Sequence, residues 1–376
     1  MKHYSLLLLW FFAATLAYGQ MVSTVTQGNF TDAINQDAQG NIYCSDFSGT
    51  TVWKYDINGN VSSFVTDLTS PNGIGINDQN EIFVCEHFAN RITKFDSDGN
   101  QLDQFTGFNR PAGIKHIPGT DAMLVVEYIG NRIFRLNADG TREQLHDGGP
   151  SSPMNGPAGI AFIGTEAYIA NFNNRRVYRL EIDQTLTFIA QLPAGGVTNN
   201  FLGFLDAKDG LLIATQLGTH RLYTINPANG AVQVFAGSSA GNTDGLLENA
   251  RFNGPNGIYA DQVNNRIFIS EFSSNNLRII EGIVLSDGLQ ASNIAELSLF
   301  PNPLKDTLNI KAKLEQPGEL LLRLYDQQGK LVKQAQSPSM GIEFQHSMQL
   351  DELPSGTYFL ELNDGRQGIS RLVVKG

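Results

Sequence analysis

Short apolar runs that end on a polar residue recur along most of the chain. They read Ile42-Tyr43-Cys44-Ser45-Asp46, Ile82-Phe83-Val84-Cys85-Glu86, Leu124-Val125-Val126-Glu127, Tyr168-Ile169-Ala170-Asn171, Leu212-Ile213-Ala214-Thr215-Gln216 and Ile267-Phe268-Ile269-Ser270-Glu271. Runs of this length bounded by turns predict β-strands. Ahead of four of them stands a common signature: Pro71-Asn72-Gly73-Ile74, Pro111-Ala112-Gly113-Ile114, Pro157-Ala158-Gly159-Ile160 and Pro255-Asn256-Gly257-Ile258. Thr31-Asp32-Ala33-Ile34 and Phe201-Leu202-Gly203-Phe204 are weaker copies. Behind the runs come Asn90-Arg91-Ile92, Asn131-Arg132-Ile133 and Arg175-Arg176-Val177, then turns such as Asn58-Gly59, Asp98-Gly99 and Asp139-Gly140. Asn-Gly and Asp-Gly accept the positive φ that a tight hairpin turn demands.

The period is about 40 residues, with several short strands per unit, which is the signature of a repeat architecture. Four strands per unit and six units predict an all-β fold: a six-bladed β-propeller, whose radial sheets bury their faces against one another. The last unit is one strand short. Ser23-Thr24-Val25-Thr26 matches Ser63-Phe64-Val65-Thr66, so residues 21–28 are expected to supply the missing outer strand and close the ring with the N-terminus. Cys44 and Cys85 fall on neighbouring units one residue out of phase and therefore on opposite faces. They either meet across one interface or point away from each other.

The ends of the chain follow different rules. Lys2 and His3 precede an apolar run from Leu6 to Ala17 that ends in Ala17-Tyr18-Gly19, the order of a secretory signal peptide over residues 1–19. No later apolar stretch is long enough to span a membrane. The organisation expected is a signal peptide at 1–19, the propeller at 20–283, a linker at 284–295 and a second domain at 296–376. Strands such as Leu320-Leu321-Leu322-Arg323-Leu324-Tyr325 and Tyr358-Phe359-Leu360-Glu361-Leu362 predict a small antiparallel β-sandwich for that second domain. A net charge of −11 argues against a nucleic-acid partner.

Phe235-Ala236-Gly237 through Asp244-Gly245, Ala250-Arg251-Phe252, Pro255-Asn256-Gly257-Ile258 and Asn276-Leu277-Arg278-Ile279-Ile280 resemble one NHL repeat. The same blades resemble the regucalcin and gluconolactonase propellers, which are divalent-metal-dependent lactone hydrolases. Leu299-Phe300-Pro301-Asn302-Pro303, Leu324-Tyr325-Asp326 through Gly329-Lys330, Leu353-Pro354-Ser355-Gly356-Thr357-Tyr358 and Arg371-Leu372-Val373-Val374-Lys375-Gly376 resemble the type A C-terminal sorting domain of the type IX secretion system of Bacteroidota. That resemblance implies export through the periplasm, with the type IX machinery as partner of residues 296–376, and a secreted or outer-membrane-surface protein.

Equivalent positions of a propeller gather around its central channel, so two rings of side chains are candidate sites. The first contains Asp32, Asn72 and Asn256, with Ala112, Ala158 and Leu202. The lactonase resemblance implies a divalent cation, Ca²⁺, on Asp32, Asn72 and Asn256, although Ala112, Ala158 and Leu202 depart from the family pattern. The second is an acidic ring, Asp46, Glu86, Glu127 and Glu271, which either converges at the channel mouth or pairs with arginines such as Arg91, Arg132 and Arg266. His87 is expected to be exposed on a loop. The loops Gly148–Asn155, Pro193–Asn200 and Ala236–Phe252 are expected to form a recognition face. The function expected is a binding module for a glycan, peptide or protein ligand; the alternative is a Ca²⁺-dependent lactonase.

Overall fold

A computed structural model describes residues 20–283, 285, 294–314, 317–326, 330–339, 341–363 and 368–376. The expected signal peptide lies outside the described residues. Six antiparallel sheets follow one another from Ile34 to Glu281, and their innermost strands are Ile34–Gln36, Pro71–Ile76, Pro111–His116, Pro157–Ile163, Leu202–Lys208 and Pro255–Asp261. We number the blades 1 to 6 in that order. Each innermost strand also packs against its counterpart in the next blade, which makes the ring a propeller.

The signature glycines explain how closely the blades approach. A Cβ built on Gly73 would collide with the carbonyl oxygen of Ala112, one on Gly113 with that of Ala158, and one on Gly257 with that of Asp32. Inner strands meet there backbone to backbone, and only glycine leaves the room. Apolar side chains fill the space between blades. Cys44 lies with Phe30, Phe268 and Leu277 between blades 6 and 1, and Cys85 lies with Ile114, Met123 and Val125 between blades 2 and 3. The two thiols are free and point away from each other, and burial pushes both well above their ordinary range.

Blade 6 takes its outer strand from the N-terminus. Met21–Gln27 pairs antiparallel with Asn276–Glu281, with Val22 opposite Ile280 and Thr24 opposite Arg278. A two-residue strand, Gly245–Leu246, pairs with its other edge. Asp244 fixes this closure: it accepts from Thr24 N at 3.0 Å and Thr24 Oγ1 at 2.9 Å, and from Arg278 Nη2 at 2.8 Å. The loop Ala236–Phe252, expected at a recognition face, thus grips the closing strand.

The propeller's packing continues past residue 283, since Leu285 is buried in the cluster formed by blades 5 and 6. The next described residue, Ile294, begins a strand of the second unit. Most of the expected linker therefore lies outside the described residues. The second unit stacks a three-stranded sheet (Ile294–Phe300, Thr307–Leu314, Glu343–Gln349) on a four-stranded one (Leu331–Ser339, Gly318–Tyr325, Gly356–Asn363, Gly368–Lys375). Alternate residues Leu320, Leu322 and Leu324 face Leu308, Ile310 and Ala312 in one apolar core, the alternation a sandwich requires.

Candidate binding cavity

Each blade's second strand ends at a polar residue, and the structure shows what that residue does. Glu86 is fully buried and accepts from Arg91 Nε at 2.6 Å, Arg91 Nη2 at 2.8 Å, Thr93 Oγ1 at 2.6 Å and Thr69 N at 2.9 Å. Glu127 accepts from Arg132 Nε at 2.6 Å and Asn109 N at 2.9 Å. Glu271 accepts from Arg278 Nη1 at 3.0 Å and Asn253 N at 2.9 Å. In blades 4 and 5, Asn171 and Gln216 donate to the carbonyls of Pro153 and Pro193. Each side chain clamps the loop that leads into its own innermost strand. Burial pushes the Glu86 carboxyl up, but the bonds from Arg91, Thr93 and Thr69 outweigh it and hold it below its ordinary value.

Of the two arrangements expected for the acidic ring, Glu86, Glu127 and Glu271 take the arginine-paired one and do not converge at the channel mouth. Glu86, Glu127 and Glu271 point into their blades, and Asp46, half-buried, accepts from Thr31 Oγ1 at 3.3 Å. Among the described residues, no cluster of three His, Cys, Asp or Glu side chains is placed to hold a metal. The arginine assignment also needs one change. Arg91 and Arg132 pair as expected, but Arg266 pairs with Asp261 at 2.7 Å, and Arg278 neutralises Glu271.

The residue one step beyond each strand end does reach the channel mouth. Phe47, His87, Tyr128, Phe172, Leu217 and Phe272, one from each blade, line a cavity of about 780 Å³. In blades 2 to 6 the backbone holds them there. His87 N donates to Ser70 O at 3.1 Å, Tyr128 N to Arg110 O at 2.8 Å, Phe172 N to Gly156 O at 2.8 Å, Leu217 N to Phe201 O at 3.0 Å and Phe272 N to Gly254 O at 2.7 Å. The acceptor is in each case the residue preceding the innermost strand.

Aromatic contacts run around the wall. The His87 ring meets Phe47 at 5.5 Å and Tyr128 at 5.6 Å, Tyr128 meets Phe172 at 6.1 Å, and Phe172 stacks on Phe201 at 4.5 Å. Phe88, Ile129 and Phe272 stay 50%, 57% and 41% exposed. Inside the channel, Lys115 of blade 3 pairs with Asp206 of blade 5, two blades away, and Asp206 Oδ2 accepts from Ala260 N at 2.9 Å.

Asp32, Asn72 and Asn256 all line the cavity, on blades 1, 2 and 6, and Ala112 and Ala158 line it beside them. Leu202 does not. It pairs with Gln216, as Pro71 pairs with Glu86, so it stands at the proline position and is fully buried, while Gly203 takes the ring position. Phe201 and Phe204 fill the wall of that blade. Asn256 Nδ2 donates to Asp32 Oδ1 at 2.8 Å and to Thr31 O at 3.1 Å. The amide oxygens of Asn72 and Asn256 are buried without a hydrogen-bond partner. Burial raises the Asp32 carboxyl well above its usual range, a rise the Asn256 bond opposes and the charge of Asp46 reinforces.

His87 is buried rather than exposed, and burial lowers it to about 4 against the pull of the Pro111 carbonyl, with Arg110 adding to the fall. Its Nδ1 lies 3.3 Å from that carbonyl, which can only accept, so Nδ1 carries the proton and Nε2 is an acceptor. His220 has the opposite tautomer: its Nδ1 accepts from Gly254 N at 3.0 Å. The expected loop Pro193–Asn200 reaches the wall through Thr198 and Asn199.

Comparison with known proteins divides the chain in two. Residues 298–375 match the family described as secretion system C-terminal sorting domain. The tail is a sorting domain. It marks the chain for export by the type IX secretion system and is the segment that meets that machinery. No curated protein sequence matches the chain.

The propeller is similar to solved structures at low identity, which shows its fold. A protein of unknown function from Bacteroides thetaiotaomicron aligns at TM-score 0.61 and 13% identity, over 70% of this chain and 76% of that one. An auxiliary nutrient binding protein from the same organism aligns at 0.55 and 16%, over 69% and 76%. A gluconolactonase from Xanthomonas campestris aligns at 0.53 and 16%, over 70% and 89%. Among the described residues no helix is long and apolar enough to cross a membrane.

Proposed function

We propose that the propeller works outside the cell, at the surface or released from it, as a ligand-binding module, and that its ligand enters the aromatic-lined cavity. The observation that carries this reading is the ring of Phe47, His87, Tyr128, Phe172, Leu217 and Phe272. A soluble protein leaves large apolar side chains converging in a concave site only where something covers them. The strand-end acids Glu86, Glu127 and Glu271 are engaged in holding loops. The test is a thermal-shift screen of saccharides, short peptides and aromatic acids against the exported chain and its Tyr128→Ala and Phe172→Ala variants. A ligand that binds the native cavity raises the melting temperature of wild type and not of the variants. A ligand that stabilises all three equally would place binding elsewhere.

One observation favours a second reading, a divalent cation held by Asp32, Asn72 and Asn256. Two buried amide oxygens without partners stand with a carboxylate on one wall. The donors fit a hard cation in kind, all oxygen, with a single carboxylate. A Ca²⁺ bound there would supply Lewis-acid polarisation of a ligand carbonyl. Asp32 and the amides would hold it, and the aromatic wall would exclude water. Calorimetric calcium titration decides: stoichiometric binding lost in both Asn72→Ala and Asn256→Ala supports the lactonase reading, and no binding to wild type removes it.

A further inference from the structure

Among the described residues, the cavity wall has a single permanent cation. Arg110 lines it at the loop entering blade 3, its guanidinium 4.4 Å over the ring of Phe88. No carboxylate among the described residues lies within ion-pair distance of it, in a chain of net charge −11 whose clamping arginines, Arg91, Arg132 and Arg278, are all paired. Its backbone adds an independent observation. Arg110 has φ +58°, and the equivalent positions in blades 2, 4 and 6 are Ser70 at +49°, Gly156 at +63° and Gly254 at +68°, so a left-handed turn there belongs to the blades while the arginine belongs to blade 3 alone. The left-handed conformation is glycine's, and a large side chain held there is strained. Nothing in the clamp requires it, since the carbonyl that holds Tyr128 would serve equally from glycine, as Gly156 and Gly254 show with Phe172 and Phe272.

We propose that Arg110 is an oxyanion anchor, and that the cavity takes a flat apolar ligand carrying one oxyanion, a carboxylate or its sulfonate or phosphate equivalent. The apolar body packs against Tyr128 and Phe172 while the oxyanion meets the guanidinium, whose fork matches two oxygens. Stacked on Phe88, the guanidinium is held in one orientation without being neutralised, so little entropy is lost when the anion arrives. The inference rests on the cavity being the binding site.

A matched pair of fluorescent probes tests it: anilinonaphthalene sulfonate and its uncharged parent, phenylnaphthylamine, titrated into the full exported chain. Arg110→Gln should weaken the sulfonate probe about tenfold to a hundredfold, the worth of a charge-assisted hydrogen bond, and leave the parent unchanged. Arg110→Lys should recover part of the loss, and Arg110→Gly, whose backbone suits the site, should reproduce it in a folded protein. Equal effects of Arg110→Gln on both probes, or none on either, would overturn the anchor. Tyr128→Ala separates the two claims. If it weakens both probes while Arg110→Gln does not distinguish them, the cavity stands and the anchor falls; if it weakens neither, the cavity reading falls with it.

Discussion

Replacing Glu86 with glutamine separates the two roles open to the strand-end acids, cation ligand or loop clamp. The buried carboxylate receives four hydrogen bonds, two from Arg91 and one each from Thr93 and Thr69 N. Glutamine keeps the shape but turns one oxygen into a donor that faces donors. Breaking one side of a buried ion pair costs about 3–5 kcal/mol, and the Arg91 side chain, 32% exposed, can turn to water, so the expected loss is about 2–3 kcal/mol. For a domain of this size that is a drop of about 5–10 °C in melting temperature. Trp53 is the single tryptophan after residue 19, so its fluorescence follows the propeller without a signal from the tail. The folded Glu86 carboxyl is depressed, so its stabilisation is present above the unfolded glutamate value, about 4.3, and is lost as pH falls through the folded one. The difference between wild type and Glu86→Gln should therefore be full at pH 7 and shrink below pH 4. A loss under about 0.5 kcal/mol would refute the clamp, that being the ordinary range of a surface substitution. So would calcium-dependent stabilisation of wild type that vanishes in the variant.

Two further outcomes follow from the same wall and closure. His87 is lowered to about 4 by burial, so the unfolded chain binds its proton first, and wild-type stability should fall as pH drops from about 6.5 towards the folded value. His87→Phe, melted across that window, should lose this part of the slope, and an unchanged slope would refute the assignment. Arg278→Met leaves buried Glu271 without its cation and Asp244 without one of its donors, at a cost of about 3–5 kcal/mol. Hydrogen exchange should then rise first in Met21–Gln27, and a uniform rise over all six blades would show that Asp244 and Arg278 are not the closure.

The fold was legible because its cause is repeated. The Pro-x-Gly-Ile signature marks where inner strands touch backbone to backbone, and its four copies with two weaker ones announce six blades. The closing strand was legible for the same reason, although the match is one residue out of register: Thr24 stands opposite Arg278 as Ser63 stands opposite Trp53. Blade 5 misled by one residue because Phe201-Leu202-Gly203-Phe204 aligns to the signature by its glycine, while the ladder aligns Leu202 with the prolines. Hydrogen-bond register, which the glycine alone does not determine, decided it. His87 could not be read as buried, because the aromatic neighbours that cover it come from blades 1 and 3.

The strand-end ring missed the cavity by a single position, and the reason is physical. Charge drew attention to Asp46, Glu86, Glu127 and Glu271, yet a recurring acid beside a recurring arginine is what a repeat needs to hold its own loop. Chemistry at a channel mouth has to come from side chains the repeat does not consume. The next residue was visible all along as Phe47, His87, Tyr128, Phe172, Leu217 and Phe272: aromatic or apolar in every blade, directly after a polar strand end, where a solvent-facing turn would be polar. Asp32, Asn72 and Asn256 share that property, since their ring is filled by alanine or glycine in the other three blades and so is not required by the fold.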